Sequence, residues 1–116
     1  MITLDKAAKF VLSCFSVMRG GEVYIPKLPS VKIIDIAKCF DKPIKITGIR
    51  PGEKLHECMI SVDETTPVYD MIDRYIISDK LKNNYIDFKG SYASNTNNLW
   101  LDKKQIKEII DGTYRD

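Results

Sequence analysis

The sequence lacks the features that define several classes of protein. No apolar run in its 116 residues approaches the roughly 20 residues that a membrane-spanning helix needs, and its start does not resemble a signal peptide. It has a single histidine and three widely spaced cysteines, Cys14, Cys39 and Cys58, which are too few metal ligands at the wrong spacing for a zinc site. These absences predict a soluble, cytoplasmic protein with free, buried thiols and no metal.

A strong excess of either charge is also missing. The 18 basic and 16 acidic residues are spread along the chain and give a formal net charge of +2. This balance provides no basic patch that would bind nucleic acid or an anionic membrane, so neither is expected as a partner. Because 44% of the residues are hydrophobic, the chain can bury a core, and its length predicts one domain over residues 1–116.

Apolar spacing predicts a helix at the start of the chain, capped by Thr3 and ended by Gly20 and Gly21. The helix is expected to bury one apolar face, formed by Leu4, Ala8, Val11, Leu12, Phe15 and Met18. A helix this close to Met1, with no strand before it, is expected of a piece of a longer protein. Short strands are predicted at residues 22–26 and 31–33, and a helix at residues 35–40.

In the second half of the sequence, the residue pattern predicts a strand at residues 73–77. It also predicts an extended arm or loop at residues 80–98, where asparagine, glycine and serine accumulate. A final helix begins after Asp102, which is suited to cap it, with Gln105 at the third helical position. Its buried stripe is expected to contain Ile106, Ile109 and Ile110. The pattern indicates an α/β fold of short strands with three or four helices.

The most informative stretch lies between these halves. Residues 44–49 alternate in polarity and predict a strand, Pro51 and Gly52 predict a turn, and residues 53–59 predict a helix. This order would place Arg50 and Glu53 side by side at the mouth of a loop. Because arginine is a rigid fork of donors and glutamate only accepts, the pair suits a ligand with phosphates and hydroxyls, such as a nucleotide. The alternative is a surface turn with a local ion pair.

Residues 49–57, Ile-Arg-Pro-Gly-Glu-Lys-Leu-His-Glu, resemble the signature of the inverting UDP-N-acetylglucosamine 4,6-dehydratases and related polysaccharide-biosynthesis proteins of the extended short-chain dehydrogenase/reductase superfamily. The resemblance extends over essentially the whole chain, including residues 1–7, 20–30, 35–38, 73–77 and 94–101. It covers the family's carboxy-terminal portion, so it implies a small substrate-binding domain without the Rossmann domain.

The resemblance also implies roles for the loop. Arg50 is expected to grip the diphosphate of a UDP-N-acetylglucosamine-like substrate, and Glu53 to accept hydrogen bonds from ribose hydroxyls. Lys54 either adds charge near the phosphates or points into solvent. His56 is interpreted as a packed or capping residue rather than a base, and Cys58 as a core residue.

The family uses NADP, bound by a glycine-rich turn of its Rossmann domain. The six glycines here form no such turn, so the chain is expected to bind no cofactor and to contain no catalytic residues. Tyr85 and Lys89 repeat the superfamily's tyrosine–lysine spacing. That spacing works on a helix, whereas these residues fall in the asparagine-rich arm, so the match is interpreted as chance.

Three functional hypotheses remain open. The chain is the substrate-binding part of a nucleotide-sugar dehydratase or epimerase, inactive alone. It works beside a separate Rossmann-domain partner or as a homo-oligomer, which an exposed apolar patch would favour. Or it is a non-enzymatic interaction module, with residues 80–98 driving assembly and the Arg50 loop a relic.

Overall fold

The computed structural model describes residues 1–81 and 86–114, with only the backbone described at residues 86–87. Three helices and six short strands follow one another in this part of the chain: α1 (Leu4–Phe15), β1 (Val23–Pro26), α2 (Ile33–Lys38), β2 (Cys58–Ile60), β3 (Val68–Asp70), β4 (Arg74–Ile77), β5 (Ile86–Asp87), β6 (Tyr92–Ala93) and α3 (Lys103–Ile110). The expected α/β fold of short strands is therefore confirmed.

Four strands form one antiparallel sheet in the order β1-β4-β3-β5. The strand β4 carries β-branched and aromatic residues, which favour a pleated, partly buried surface, and it lies between β1 and β3. Ile25 of β1 pairs with Tyr75 of β4. The strand predictions at residues 22–26 and 73–77 are confirmed.

The core is small and lies where this sheet meets the two-stranded sheet of β2 and β6. Its buried residues are Ile25, Ile60, Val68, Tyr75 and Tyr92. The Tyr75 ring packs against the rings of Phe88 and Tyr92, with centroids 4.7 and 5.0 Å apart. The Tyr92 hydroxyl accepts the Leu28 N–H at 2.6 Å and donates to the Leu28 carbonyl at 3.1 Å, so it fixes the segment after β1.

The helix α3 begins as its sequence predicts. The Asp102 carboxylate accepts the Gln105 N–H at 2.8 Å, and the Gln105 side chain accepts the Asp102 N–H at 3.0 Å. This reciprocal capping box satisfies two helix-end donors. Ile106, only 1% exposed, anchors the helix, which packs against α2.

Two predicted elements around the central turn are wrong. Residues 44–49 form no strand, and residues 53–59 form no helix; instead the chain bends and enters β2 at Cys58. A strand needs a neighbour for its backbone groups, and none of the described residues pairs with residues 44–49. Every residue from 40 to 59 is exposed, including Cys58, which the sequence placed in the core.

Three smaller predictions have different outcomes. Residues 31–33 form no strand, because Ser30 makes only a single bridge with Trp100 and α2 begins at Ile33. The predicted arm at residues 80–98 contains β5 and β6. Residues 82–85 lie outside the described residues, so the interpretation of Tyr85 and Lys89 stays a prediction.

The helix α1 forms as predicted, but its apolar face does not lie in the core. Thr3 caps it by accepting the Lys6 N–H at 3.3 Å. None of its residues is buried, and Leu4 and Phe15 are 85% and 64% exposed. The correction has a physical cause: the side of α1 that meets the sheet is held by polar and cation–π contacts to Arg74.

The chain exposes more surface than its size requires. Its accessible area is 9200 Å², whereas a compact monomer of 13.3 kDa has about 6,500 Å². Its radius of gyration is 16.7 Å, against about 13.4 Å for a compact domain of this length. About 2,700 Å² of surface is therefore available that a closed domain would cover.

Candidate functional site

The candidate site is a tight turn at residues 50–53 within the exposed segment. The Glu53 N–H donates to the Arg50 carbonyl at 3.1 Å, which closes the turn across Pro51 and Gly52. Gly52 has φ +86°, and the turn type with proline second and a positive φ third favours glycine at that position. Sequence and geometry agree on this turn, although the predicted elements on either side of it do not form.

Arg50 and Glu53 lie on the same side of the turn, as the sequence predicted. The Glu53 carboxylate accepts the Arg50 backbone N–H at 2.8 Å and lies 4.0 Å from the Arg50 Nε. The two side chains are 79% and 51% exposed. Within the described chain, no contact occupies the two terminal nitrogens of the guanidinium, so this end is free to bind an anion.

The residues that follow the turn are exposed as well. Lys54 is exposed, which fits both of its expected arrangements. His56 is exposed as well and not packed, because the helix that would carry it does not form. The segment is fixed again at Glu57, which exchanges hydrogen bonds with Ser94: its N–H donates to the Ser94 Oγ at 3.1 Å, and its carbonyl accepts the Ser94 N–H at 2.8 Å.

Beside this anchor lies a mainly apolar groove of about 390 Å³ that sequence reasoning missed. Its lining includes Leu28, Val31, Ile36, Met59 and Asn97. The Asn97 amide donates to the Leu28 carbonyl and to the Ser30 Oγ, so it shapes the wall. The groove assembles segments nearly 70 residues apart, and no local sequence pattern indicates it.

A second cluster of charges joins α1 to the sheet. The Arg74 guanidinium forms two hydrogen bonds of 2.8 Å with the Asp73 carboxylate. These bonds lower the pKa of Asp73 and raise the pKa of Arg74, since each favours the charged form. The same guanidinium donates to the Ser13 Oγ at 3.0 Å and to the Cys14 Sγ at 3.3 Å.

The described residues contain neither a metal-binding cluster nor a membrane-spanning helix. Across residues 1–81 and 86–114, no group of three or more histidine, cysteine, aspartate or glutamate side chains is arranged to hold a metal ion. None of the helices described there is long and apolar enough to cross a membrane. The three cysteines are free, with Cys14 and Cys39 half-buried and Cys58 exposed.

Fold and turn together define a small α/β domain that displays a paired arginine and glutamate on an exposed loop. A family model described as "Polysaccharide biosynthesis protein" matches residues 1–79. Two curated relatives, both named UDP-N-acetylglucosamine 4,6-dehydratase (inverting), come from Campylobacter jejuni subsp. jejuni serotypes O:2 and O:23/36; they are 42% and 40% identical over 97% of this chain. The chain belongs to the polysaccharide biosynthesis protein family.

A solved structure supports the fold. The X-ray structure of Pen from Bacillus thuringiensis superimposes with a TM-score of 0.78 at 24% identity, over 97% of this chain and 37% of that chain. The present chain likewise spans only 39% of the length of the two Campylobacter relatives. The activity in their names is therefore that of a much longer protein.

Proposed function

We propose that the chain is the nucleotide-sugar-binding part of an enzyme of the UDP-N-acetylglucosamine 4,6-dehydratase type, serving surface polysaccharide biosynthesis in the cytoplasm. The observation that carries the proposal is the exposed Arg50 guanidinium beside the Glu53 carboxylate on one tight turn. The names of the two Campylobacter relatives, and a match that includes this turn, support the choice of ligand.

In this proposal the turn binds the UDP moiety through two complementary groups. The planar guanidinium of Arg50 grips two diphosphate oxygens at once. The Glu53 carboxylate accepts one hydrogen bond from the Arg50 N–H. Because a carboxylate has about four lone-pair sites, it can still accept hydrogen bonds from ribose hydroxyls. Lys54, which is exposed next to them, adds positive charge for the phosphates.

The described residues do not fit a dinucleotide such as NADP. A pyrophosphate is held where a glycine-rich turn leads from a strand into a helix N-terminus. Here Gly20 and Gly21, with φ +108° and +91°, lead from the end of α1 into β1, the opposite order. We therefore propose that the chain binds no cofactor and is inactive alone, and that chemistry belongs to a separate part of the enzyme.

Calorimetry with UDP-N-acetylglucosamine tests the binding proposal. We expect weak, roughly millimolar binding, because much of the pocket is contributed elsewhere. Arg50→Ala should abolish the heat, whereas Lys45→Ala, which removes another exposed cation of the same segment, should leave it. UDP should compete and uridine should not, since the diphosphate is the gripped group. The proposal fails if millimolar ligand gives no heat, or if Arg50→Ala binds as the parent does.

A second candidate is a non-enzymatic interaction or oligomerisation module in which the turn is a relic. The large exposed apolar surface, with residues such as Leu4 and Ile72 at 85% and 99%, favours it. Stable self-association combined with no response to UDP-N-acetylglucosamine would support this candidate over the first.

A further inference from the structure

The strand β4 carries a buried tyrosine whose hydroxyl makes no hydrogen bond with the described residues. Tyr75 is 9% exposed, and its ring is fixed against the rings of Phe88 and Tyr92. A buried tyrosine hydroxyl usually finds a hydrogen-bond partner. In the described chain, every side-chain nitrogen or oxygen that is closed off from solvent has such a partner. The unpaired Tyr75 hydroxyl therefore opens onto accessible space.

That space is a cavity of about 210 Å³ between the core and the loop of residues 91–99. Tyr75 lines it together with Lys27, which directly follows β1. The volume is about seven times the roughly 30 Å³ that one molecule occupies in liquid water. It is smaller than the roughly 300–1,000 Å³ of pockets that take drug-sized ligands. The cavity therefore fits a small ligand with a few water molecules.

Lys27 brings a positive charge with spare donors to the cavity. Its ammonium group lies 4.8 Å from the centroid of the Tyr75 ring and is paired with the Asp70 carboxylate. An ammonium group has three N–H donors, and among the described residues only Asp70 accepts a hydrogen bond from it. The Lys27 side chain is 24% exposed, so salt screens its charge less than that of a surface lysine.

The described residues that line the cavity offer donors and no carboxylate. Ser91 and Asn98 join Lys27 and Tyr75 there, and their side chains make no hydrogen bond with other described residues. Burial raises the pKa of Tyr75, because it disfavours the charged form. The hydroxyl therefore stays protonated at neutral pH and can donate. This set of groups suits an acceptor of several hydrogen bonds that carries negative charge.

The remaining walls are held by hydrogen bonds within the chain, so the cavity is formed in advance. The Tyr92 hydroxyl bonds to both backbone groups of Leu28, and the Asn97 amide donates to the Leu28 carbonyl. The Thr96 Oγ1 accepts the Ala93 N–H at 3.1 Å, which fixes the loop itself. A ligand that enters a preformed site does not have to order these groups.

We propose that the cavity bounded by Lys27, Tyr75, Ser91 and Asn98 is a binding site for a small oxyanion, a phosphate or a carboxylate group. Such a group accepts several hydrogen bonds at once, and bonds with an ionised partner are about twice as strong as neutral ones. The Lys27 ammonium and the Tyr75 hydroxyl are its principal donors. The site shares no residue with the Arg50 turn, so it goes beyond the proposed function and does not depend on it.

Nuclear magnetic resonance titrations of the isotope-labelled chain test the proposal residue by residue. Inorganic phosphate and acetate are added separately, against sodium chloride at the same ionic strength and pH. We expect saturable shifts of the Tyr75 ring signals and the Lys27 amide signal, with a dissociation constant of roughly 1 mM. Saturation by one ion alone identifies the group that the site takes, and saturation by both indicates a general oxyanion site. No saturable shift with either ion would overturn the proposal.

Two substitutions distinguish the site from a general attraction of anions to lysines. Tyr75→Phe keeps the packed ring and removes only the hydroxyl, so it should fold and weaken binding about tenfold or more. Lys27→Met should abolish saturation. The matched controls, Tyr24→Phe and Lys32→Met, change residues outside the lining and should bind as the parent does. Equal affinity in Tyr75→Phe and the parent would refute the site, whether or not Lys27→Met folds.

Repeating the titrations in Arg50→Ala separates this proposal from the proposed function, in which Arg50 also binds phosphates. The Tyr75 and Lys27 shifts should persist with the same dissociation constant, while any shifts around the turn should vanish. Loss of the Tyr75 shifts in Arg50→Ala would mean that the turn holds the ion, and it would refute the cavity site. Persistence of these shifts, with no calorimetric response to UDP-N-acetylglucosamine in the parent, would refute the proposed ligand of the turn and keep the cavity site.

Discussion

The Arg74 guanidinium joins α1 to the sheet through hydrogen bonds and a cation–π contact, which makes Arg74→Met a sharp test of how the helix is held. Methionine keeps an unbranched apolar side chain and removes the guanidinium that lies over Phe10. The lost hydrogen bond to the Ser13 Oγ and the cation–π contact at 4.8 Å together contribute about 2–3 kcal/mol. Arg74 is only 15% exposed, so solvent screens these contacts little. The Asp73 pair contributes under about 1 kcal/mol, since its carboxylate is 61% exposed.

Amide hydrogen exchange measures this loss directly. A 12-residue helix with no buried residue is marginal without its tertiary contacts. A loss of 2–3 kcal/mol should therefore raise opening, and hence exchange, in Leu4–Phe15 by about 30- to 140-fold, while β4 changes much less. Arg50→Met is the matched control, because the contacts of that arginine with described residues lie within its own turn. Unchanged exchange in α1, or an equal rise in α1 and β4, would refute the claim that Arg74 holds the helix to the sheet.

Three further predictions concern stability. Ile60 is 1% exposed, so Ile60→Ala should lower the free energy of unfolding, measured by urea titration, by about 2–5 kcal/mol. Met59→Ala, at the exposed neighbouring residue, should change the free energy of unfolding by under about 0.5 kcal/mol. Asp102→Ala removes the capping acceptor of α3 and should cost about 1 kcal/mol, with Asp102→Asn nearly neutral. The lowered pKa of Asp73 means that its stabilisation is present above the unfolded pKa near 4 and is lost as the pH falls through the folded value. Asp73→Asn should remove this small loss of stability at low pH.

Each of the three stability predictions has an outcome that would contradict it. Equal effects at Ile60 and Met59 would mean that the small core does not hold the two sheets together. An Asp102→Ala protein as stable as the parent would show that α3 is fixed by Ile106 alone. If Asp73→Asn and the parent lose stability equally between pH 5 and 3, another carboxyl group is responsible.

The features that the sequence predicts well depend on neighbours along the chain. Thr3 and the Asp102–Gln105 pair act within one helical turn, and the Pro51-Gly52 turn is decided by two residues. Contacts across long distances were not predictable in this way. The Tyr92 hydroxyl meets Leu28, 64 residues away, and the pairing of β2 with β6 decides that Cys58 begins a strand instead of continuing a helix.

The two largest errors have a common physical cause. The apolar spacing of α1 is real, and so is the alternation of residues 44–49, yet Leu4 and Ile46 are 85% and 84% exposed. A pattern of this kind indicates which side chains favour burial, but it does not say which surface would bury them. If solvent were the true environment of both segments, exchanging their apolar residues for polar ones would cost nothing in any assembly. The large exposed hydrophobics of both segments argue against that, Leu12, Phe15, Ile44 and Ile49 among them, because monomers rarely expose contiguous apolar patches. We therefore propose that the two patterns reflect contact with a neighbour, and not a core within the described chain.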